Sequence, residues 1–238
     1  MQCLILAGGL GTRLGNLTQS TPKNLIPICG KPFAHYQLTH LASVGVSEIV
    51  YSIGHLGEQI RDYVGTGKNW SVNITYVDEG ENLLGTGGAV RNALGELNKS
   101  FFVMYGDSYL PITYSDVWDA FRKSKAEALM TVMNNQGKWD MSNVDFQDGT
   151  IPIYAKPGQE GHRKNMSFID YGLLCLSRSF VEREIPDREK SDLSTPLNRL
   201  SLKGSLAGYE VHQRFYEIGS LDGVGDFEEY LGTFTPKI

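Results

Sequence analysis

A glycine-rich loop follows the first apolar run of the chain. Residues 6–14 read Leu-Ala-Gly-Gly-Leu-Gly-Thr-Arg-Leu. Glycines let backbone N–H groups approach phosphate oxygens with no side chain between them, and the Arg13 guanidinium offers a planar fork of donors to a polyphosphate. The loop does not match GxxxxGK(S/T). It also differs from the dinucleotide fingerprint, because Gly9, Gly11 and Gly15 are spaced GxGxxxG and no acidic residue follows about 20 residues on. The loop indicates a phosphate site of another kind, and a plain glycine turn is the simpler alternative.

The charges of the chain are distributed unevenly. There are 22 Lys and Arg residues against 27 Asp and Glu, a net charge of -5, which argues against general nucleic-acid binding. The first acidic residue is nevertheless Glu48, whereas Arg13, Lys23 and Lys31 all precede it. An acid-free, glycine-rich head in an acidic protein indicates one local site for an anion. The alternative is that acidic residues are absent from this short stretch by chance.

A carboxylate stands where a strongly apolar strand is predicted to end. Asp107 and Gly106 follow the run Phe-Phe-Val-Met-Tyr at residues 101–105. Ligands of open parallel sheets bind at the carboxyl ends of the strands, and Mg²⁺ prefers one or two carboxylates together with phosphates. Asp107 is therefore a candidate magnesium ligand, or otherwise an ordinary aspartate in a turn.

Short apolar runs alternate with helical patterns and must position these residues. Strands are predicted at residues 4–7, 49–53, 73–77, 101–105, 129–133, 171–176 and 215–218, and helices at 32–44, 56–64, 88–97, 115–125, from 194 onward, and at 221–231. Asp148-Gly149 between two apolar runs predicts a hairpin. Strands that alternate with helices predict an α/β fold with a parallel sheet covered on both faces.

The composition is that of a globular protein, with 41% hydrophobic and 21% charged residues among 238. No window approaches the roughly 18 apolar residues of a membrane span, and the N-terminus has no basic lead typical of a signal peptide. Three cysteines without a CxxC pair favour a reducing, cytoplasmic location. We expect one domain over residues 1–238, whose first half binds nucleotide and whose second half completes the pocket.

Residues 6–33 closely resemble the signature of sugar-1-phosphate nucleotidyltransferases. The resemblance rests on the loop, on a Pro-Lys pair at Lys23, and on the Gly-Lys-Pro start of a helix at residues 30–32. It implies a Rossmann-like, mixed, mostly parallel sheet with helices on both faces, the nucleotide-diphospho-sugar transferase fold. It also implies that Arg13 and Lys23 act on the reacting phosphates. The nucleotide-binding residues of the loop would be Leu6, Gly8, Gly9, Gly11 and Thr12.

Residues 84–89 (Leu-Gly-Thr-Gly-Gly-Ala) resemble the family segment that packs against the nucleobase, with Gly85 and Thr86 as binding residues. Small residues there would let a flat base lie against the backbone, and a glycine-rich helix start is compatible with the same residues. Glu79 and Glu81 lie just before this segment. Guanine presents two N–H donors that a carboxylate accepts well, so these residues suit guanine better than uracil or thymine, and the base stays open.

The same resemblance assigns the metal and sugar-phosphate residues. Asp107 would be the main Mg²⁺ ligand and Glu217, in Tyr-Glu-Ile-Gly at residues 216–219, the second, although the family usually has Asp there. Lys156 in Ala-Lys-Pro would bind the sugar phosphate, with Ala155 in place of the usual glutamate. Asp170 would accept hydrogen bonds from sugar hydroxyls. For Lys156 and Asp170 a solvated surface charge is an equal alternative.

The implied reaction joins a nucleoside triphosphate and a sugar 1-phosphate to give a nucleotide sugar and pyrophosphate. Such an enzyme supplies nucleotide sugars for cell-surface polysaccharide. The chain most resembles short heptose-1-phosphate guanylyltransferases, which favours GTP and a GDP-heptose product. Uridylyl or cytidylyl transfer to another sugar 1-phosphate or phosphorylated alcohol stays open, as do a metal-dependent glycosyltransferase, a non-catalytic nucleotide-sugar-binding protein, and assembly into a homo-oligomer.

Overall fold

The computed structural model describes residues 1–9, 11, 14, 18, 20–80 and 83–233. Its strands are β1 (Gln2–Leu6), β2 (Pro27–Ile28), β3 (Lys31–Pro32), β4 (Glu48–Ile53), β5 (Asn73–Asp78), β6 (Ser100–Tyr105), β7 (Ser108–Tyr109), β8 (Ala128–Asn134), β9 (Val144–Gln147), β10 (Thr150–Tyr154), β11 (Phe168–Ser177), β12 (Ala207–Glu210) and β13 (Tyr216–Glu217). Its α-helices are α1 (Phe33–Ser43), α2 (Gly57–Val64), α3 (Gly85–Asn92), α4 (Tyr114–Ser124), α5 (Arg178–Glu184), α6 (Ser194–Leu202) and α7 (Leu221–Gly232).

Nine strands form one central sheet in the order β5-β4-β1-β6-β11-β8-β12-β10-β9. The first four run parallel to one another. β11 is antiparallel to both of its neighbours β6 and β8, β12 is parallel to β8, and β10 is antiparallel to β12 and β9. Only β11 and β10 therefore oppose β1 within this sheet, which confirms the predicted mixed, mostly parallel arrangement.

Helices cover both faces of the sheet because the central strands are apolar on both sides. In β1, Cys3 and Ile5 belong to one buried cluster and Leu4 to the other. The first cluster includes side chains of α1, α2 and α4, such as Leu38 and Val117. The second contains side chains of α3, α5 and α6. Alternation along a strand thus supplies two cores.

The carboxyl ends of three adjacent strands lie level with one another. Leu6 at the end of β1 pairs with Ser52 of β4 on one side and with Tyr105 of β6 on the other. The loops that follow these strands, including Gly8 and Asp107, therefore emerge at one edge of the sheet, where α/β proteins bind ligands. Among the described residues, no helix has the length and apolar character needed to cross a bilayer.

Candidate active site

A cavity of about 250 Å³ opens at this edge of the sheet. Its lining includes eight of the residues that the sequence predicted: Leu6, Gly8, Gly9, Lys23, Glu79, Gly85, Thr86 and Asp107. Residues from four separate segments of the first half thus meet around one space. Arg13 and Thr12, together with Glu81, fall outside the described residues, so their roles stay predictions.

Glu79 forms one wall of the cavity and its carboxylate is held in place. Ser52 Oγ donates to its Oε1 at 3.0 Å and the Leu84 N–H donates to its Oε2 at 2.9 Å. A Cβ on Gly8 would lie 2.7 Å from the same Oε1. A side chain at position 8 would therefore displace this carboxylate from its hydrogen bonds, and glycine lets the loop pass directly over it.

Lys23 reaches the cavity past a second glycine. Gly11 has a φ of +67°, and a Cβ there would lie 3.0 Å from Lys23 Cγ and 2.9 Å from a methyl group of Thr18. The Lys23 ammonium contacts Asp107 Oδ2 at 2.9 Å. The two side chains are only 18% and 20% exposed, so this ion pair is partly shielded from solvent. It joins the glycine-rich loop region to the end of β6.

The glycines at the start of α3 accommodate another segment of the chain. A Cβ on Gly85 would lie 2.7 Å from the Ser191 carbonyl oxygen, and one on Gly88 2.6 Å from that of Glu189. The Gly87 N–H donates to the Ser191 carbonyl at 2.8 Å. We call residues 189–193 the docking segment. Sequence reasoning attributed these small residues to the nucleobase and missed this backbone contact.

The second half of the chain brings Lys156 and Asp170 towards each other. The Gly172 N–H donates to Asp170 Oδ1 at 2.9 Å, and the Tyr154 hydroxyl also hydrogen-bonds to this carboxylate. Burial raises the pKa of Asp170 from 3.8 to about 6, against the opposing effects of the Gly172 N–H and the Lys156 charge. Asp170 thus changes its charge close to neutral pH.

The phenol of Tyr105 is buried and feels the negative charge of four carboxylates. Burial raises the pKa of the Tyr105 hydroxyl, and the charges of Asp170, Asp192, Asp107 and Glu217 raise it further. Glu217 is joined to the Asp107 region because it pairs with Ser108 between β13 and β7 and the next N–H donates to the Asp107 carbonyl at 3.0 Å. Glu217 also lines another cavity, of about 360 Å³. Sequence reasoning missed Tyr105 and Asp192, which have no local motif.

The carboxylate oxygens near Asp107 are of the kind that binds a magnesium ion. Asp107 immediately precedes β7, and Glu217 lies in β13, which pairs with β7. Oxygen donors of this type, completed by phosphate oxygens and water, are those that Mg²⁺ takes. In the part of the chain that the structure describes, no group of three His, Cys, Asp or Glu side chains could by itself hold a metal. A nucleotide would therefore have to supply the remaining ligands.

We expect Asp170→Asn to stabilise the protein at pH 7.5. An acid whose folded-state pKa is raised favours folding less as pH rises from about 4 to 6, since the unfolded chain releases its proton first. The amide removes this cost, which is at most about 3 kcal/mol at pH 7.5 for a shift of about two units. Urea denaturation should show the gain at pH 7.5 and little difference near pH 4. Asp119→Asn on the exposed face of α4 is the control, and an equal gain at both pH values would contradict the burial argument.

Known proteins share both the fold and the family of this chain. The chain has the fold of HddC from Yersinia pseudotuberculosis, solved as a complex with GMP-PN, with a TM-score of 0.78 at 24% identity over 97% of this chain and 99% of that one. This is the nucleotide-diphospho-sugar transferase fold that the sequence predicted. The family model described as Nucleotidyl transferase matches residues 2–141. The chain belongs to this family.

Two of its curated relatives are named as nucleotidyltransferases that act on a sugar 1-phosphate. The chain is 31% identical over 178 residues to D-glycero-alpha-D-manno-heptose 1-phosphate guanylyltransferase of Campylobacter jejuni, covering 75% of this chain and 76% of that enzyme. It is 29% identical over 161 residues to glucose-1-phosphate thymidylyltransferase of Streptomyces antibioticus, covering 66% of this chain and 45% of that enzyme. The aligned part thus spans less than half the length of the longer relative. The predicted class, a sugar-1-phosphate nucleotidyltransferase, is confirmed.

Proposed function

We propose that this chain transfers GMP from GTP to a sugar 1-phosphate, with a heptose 1-phosphate as the favoured acceptor and Mg²⁺ as the cofactor. The observation that carries the choice of base is the Glu79 carboxylate, held in the wall of the cavity against Gly8. The guanylyltransferase of Campylobacter, which acts on a heptose 1-phosphate, supports the choice of acceptor.

A fixed carboxylate favours guanine for a simple reason. Guanine offers N1–H and N2–H side by side, and each oxygen of Glu79 has a lone pair beyond the bond it already accepts from Ser52 or Leu84. Uracil and thymine offer one N–H flanked by two carbonyl oxygens, and those oxygens would be repelled by a carboxylate. A base that cannot pair with the carboxylate would leave it buried without a partner and would therefore bind more weakly than guanine.

The chemistry we propose is an in-line displacement at the α-phosphorus. An oxygen of the sugar phosphate forms the new P–O bond, the bond between the α-phosphorus and the bridging oxygen breaks, and pyrophosphate leaves with the electron pair. Lys23, and Arg13 from the glycine-rich loop, would neutralise the triphosphate, and Lys156 would hold the sugar phosphate close despite its charge. Asp107 and Glu217 would hold Mg²⁺, which when bound supplies charge neutralisation on the phosphates.

The decisive experiment measures pyrophosphate release with GTP, UTP, CTP and dTTP against hexose and heptose 1-phosphates. We expect turnover with GTP, highest with a heptose 1-phosphate. Turnover with dTTP or UTP alone would contradict the choice of base. Transfer of a sugar from a supplied nucleotide sugar would identify a glycosyltransferase, and tight nucleotide-sugar binding without any turnover would identify a binding protein.

We expect Glu79→Gln to lower kcat/KM for GTP by about 10²-fold while changing that for dTTP or UTP far less, since the amide can pair with only one of the two guanine donors. The same amide still accepts one hydrogen bond from Leu84 or Ser52, which keeps the wall in place. Glu58→Gln, exposed on α2, is the matched control and should retain the parent preference. An equal loss with all four nucleotides would show that Glu79 supports the fold without reading the base.

A further inference from the structure

Asp192 contacts both Thr86, a residue of the nucleotide cavity, and Lys156. Its carboxylate accepts from the Ser194 N–H at 2.8 Å and from the Thr86 hydroxyl at 3.3 Å. The Lys156 ammonium lies 3.4 Å from its other oxygen. Thr86 lines the nucleotide cavity, so one carboxylate contacts a residue of that cavity and the lysine expected to bind the second substrate.

The Thr86 hydroxyl is already engaged on both sides. It donates to Asp192 and accepts from the Leu193 N–H at 2.9 Å. The docking segment is fixed further by the Ser191 N–H, which donates to the Leu84 carbonyl at 2.8 Å. Asp192 is therefore anchored to the start of α3 through backbone and hydroxyl donors, and its position does not depend on Lys156.

The ion pair itself contributes little to stability. The Lys156 and Asp192 side chains are 41% and 55% exposed, and pairs exposed to this degree stabilise a fold only slightly. Burial would raise the pKa of Asp192, but the Ser194 N–H and the Lys156 charge outweigh it and lower the pKa, so the carboxylate is charged when it faces the lysine. What the contact does supply is an orientation for a long side chain that otherwise rotates freely.

We propose that Asp192 is a positioning residue that orients the Lys156 ammonium and fixes it relative to Thr86 and the nucleotide cavity. This rests on the proposed function, in which Lys156 binds the sugar phosphate. Asp192 has no contact with the substrate in this proposal and acts through the lysine alone. The negative charge of Asp192 also repels the incoming phosphate. Asp192 therefore contributes to the orientation of the lysine without adding affinity for the acceptor.

Asp192→Asn removes the charge that attracts Lys156, whereas the amide oxygen still accepts from Ser194 and Thr86. The lysine keeps at most a weak contact with this oxygen, which lies 3.5 Å from its ammonium in the parent. We expect kcat to fall about tenfold through loss of alignment, while KM for the sugar 1-phosphate stays level or falls and KM for GTP changes less than twofold. In a Lys156→Met background the same substitution should change kcat less than twofold. Asp187→Asn in the adjoining loop is the control, and Asp192→Glu should restore part of the rate.

Two kinetic results would overturn the proposal. One is an equal fold loss from Asp192→Asn with and without Lys156, and the other is a higher KM for the sugar 1-phosphate at unchanged kcat. A readout independent of turnover is the rate of reductive methylation of Lys156 followed by mass spectrometry. This rate should rise about threefold or more in Asp192→Asn and stay unchanged in Asp187→Asn, since an ammonium held by a carboxylate is less available. An unchanged rate in Asp192→Asn overturns the contact, whereas absence of turnover with every acceptor overturns only the proposed function.

Discussion

Asp107→Asn is expected to lower kcat/KM for nucleotide transfer about 10³-fold while the protein stays folded. The carboxylate at the end of β6 is the proposed main magnesium ligand, and loss of electrostatic stabilisation at a developing phosphate charge has effects of about this size. The amide keeps the shape of the side chain, and Asp107 is partly solvent-accessible, so its replacement leaves little strain. Pyrophosphate release with GTP measures the loss, and circular dichroism checks the fold.

The effect of Asp107→Asn on GTP binding should change sign when metal is removed. Without Mg²⁺, Asp107 repels the triphosphate and holds the Lys23 ammonium at 2.9 Å. Asp107→Asn should then bind GTP in EDTA about fivefold more tightly than the parent, because a unit charge about 4 Å away contributes about 1 kcal/mol across water. With Mg²⁺ the order should invert. Calorimetry measures both, with Asp119→Asn as the control. Near-normal turnover in a folded Asp107→Asn protein would remove the metal assignment.

The first half of the site could be predicted because each of its parts is encoded locally. The glycine-rich loop and Asp107 each follow an apolar strand within a few residues, and strands of a parallel sheet bring such ends to one edge. The structure places Gly8, Lys23 and Asp107 around one cavity as this reasoning requires. Local pattern and global fold agree there.

Contacts between distant segments could not be predicted in the same way. Thr86 and Asp192 are 106 residues apart, and the docking segment is a polar stretch without periodicity. The nucleobase role of Gly85 and Thr86, which line the cavity, stays a prediction. The sequence could not show that a distant segment of the chain also packs against the glycines of α3. The Cβ distances to Ser191 and Glu189 supply the missing neighbour.

The prediction of secondary structure is also limited to elements that have a local sequence signal. The Asp148-Gly149 hairpin is confirmed, with φ of +48° and +79° as a two-residue turn requires. α5 was missed because its seven residues are too few to show a helical period; its start is capped by Ser177, which accepts from the Phe180 N–H. β12 was missed because its four residues carry a glycine and pair with β8 far away in the chain.

Lys23→Met is expected to lower kcat about 10²- to 10³-fold, and to strengthen metal binding to the protein without nucleotide. The ammonium contacts one oxygen of Asp107, so in the proposed function it would compete with a divalent cation for this carboxylate until a triphosphate bound the lysine. Removing it should tighten Mn²⁺ binding about fivefold or more, as read by electron paramagnetic resonance, and the double variant with Asp107→Asn should lose this gain. Lys68→Met, at an exposed position, should bind Mn²⁺ as the parent does. An unchanged Mn²⁺ affinity in Lys23→Met would mean that the ion pair does not restrain the metal site, and that Lys23 acts on the phosphates alone.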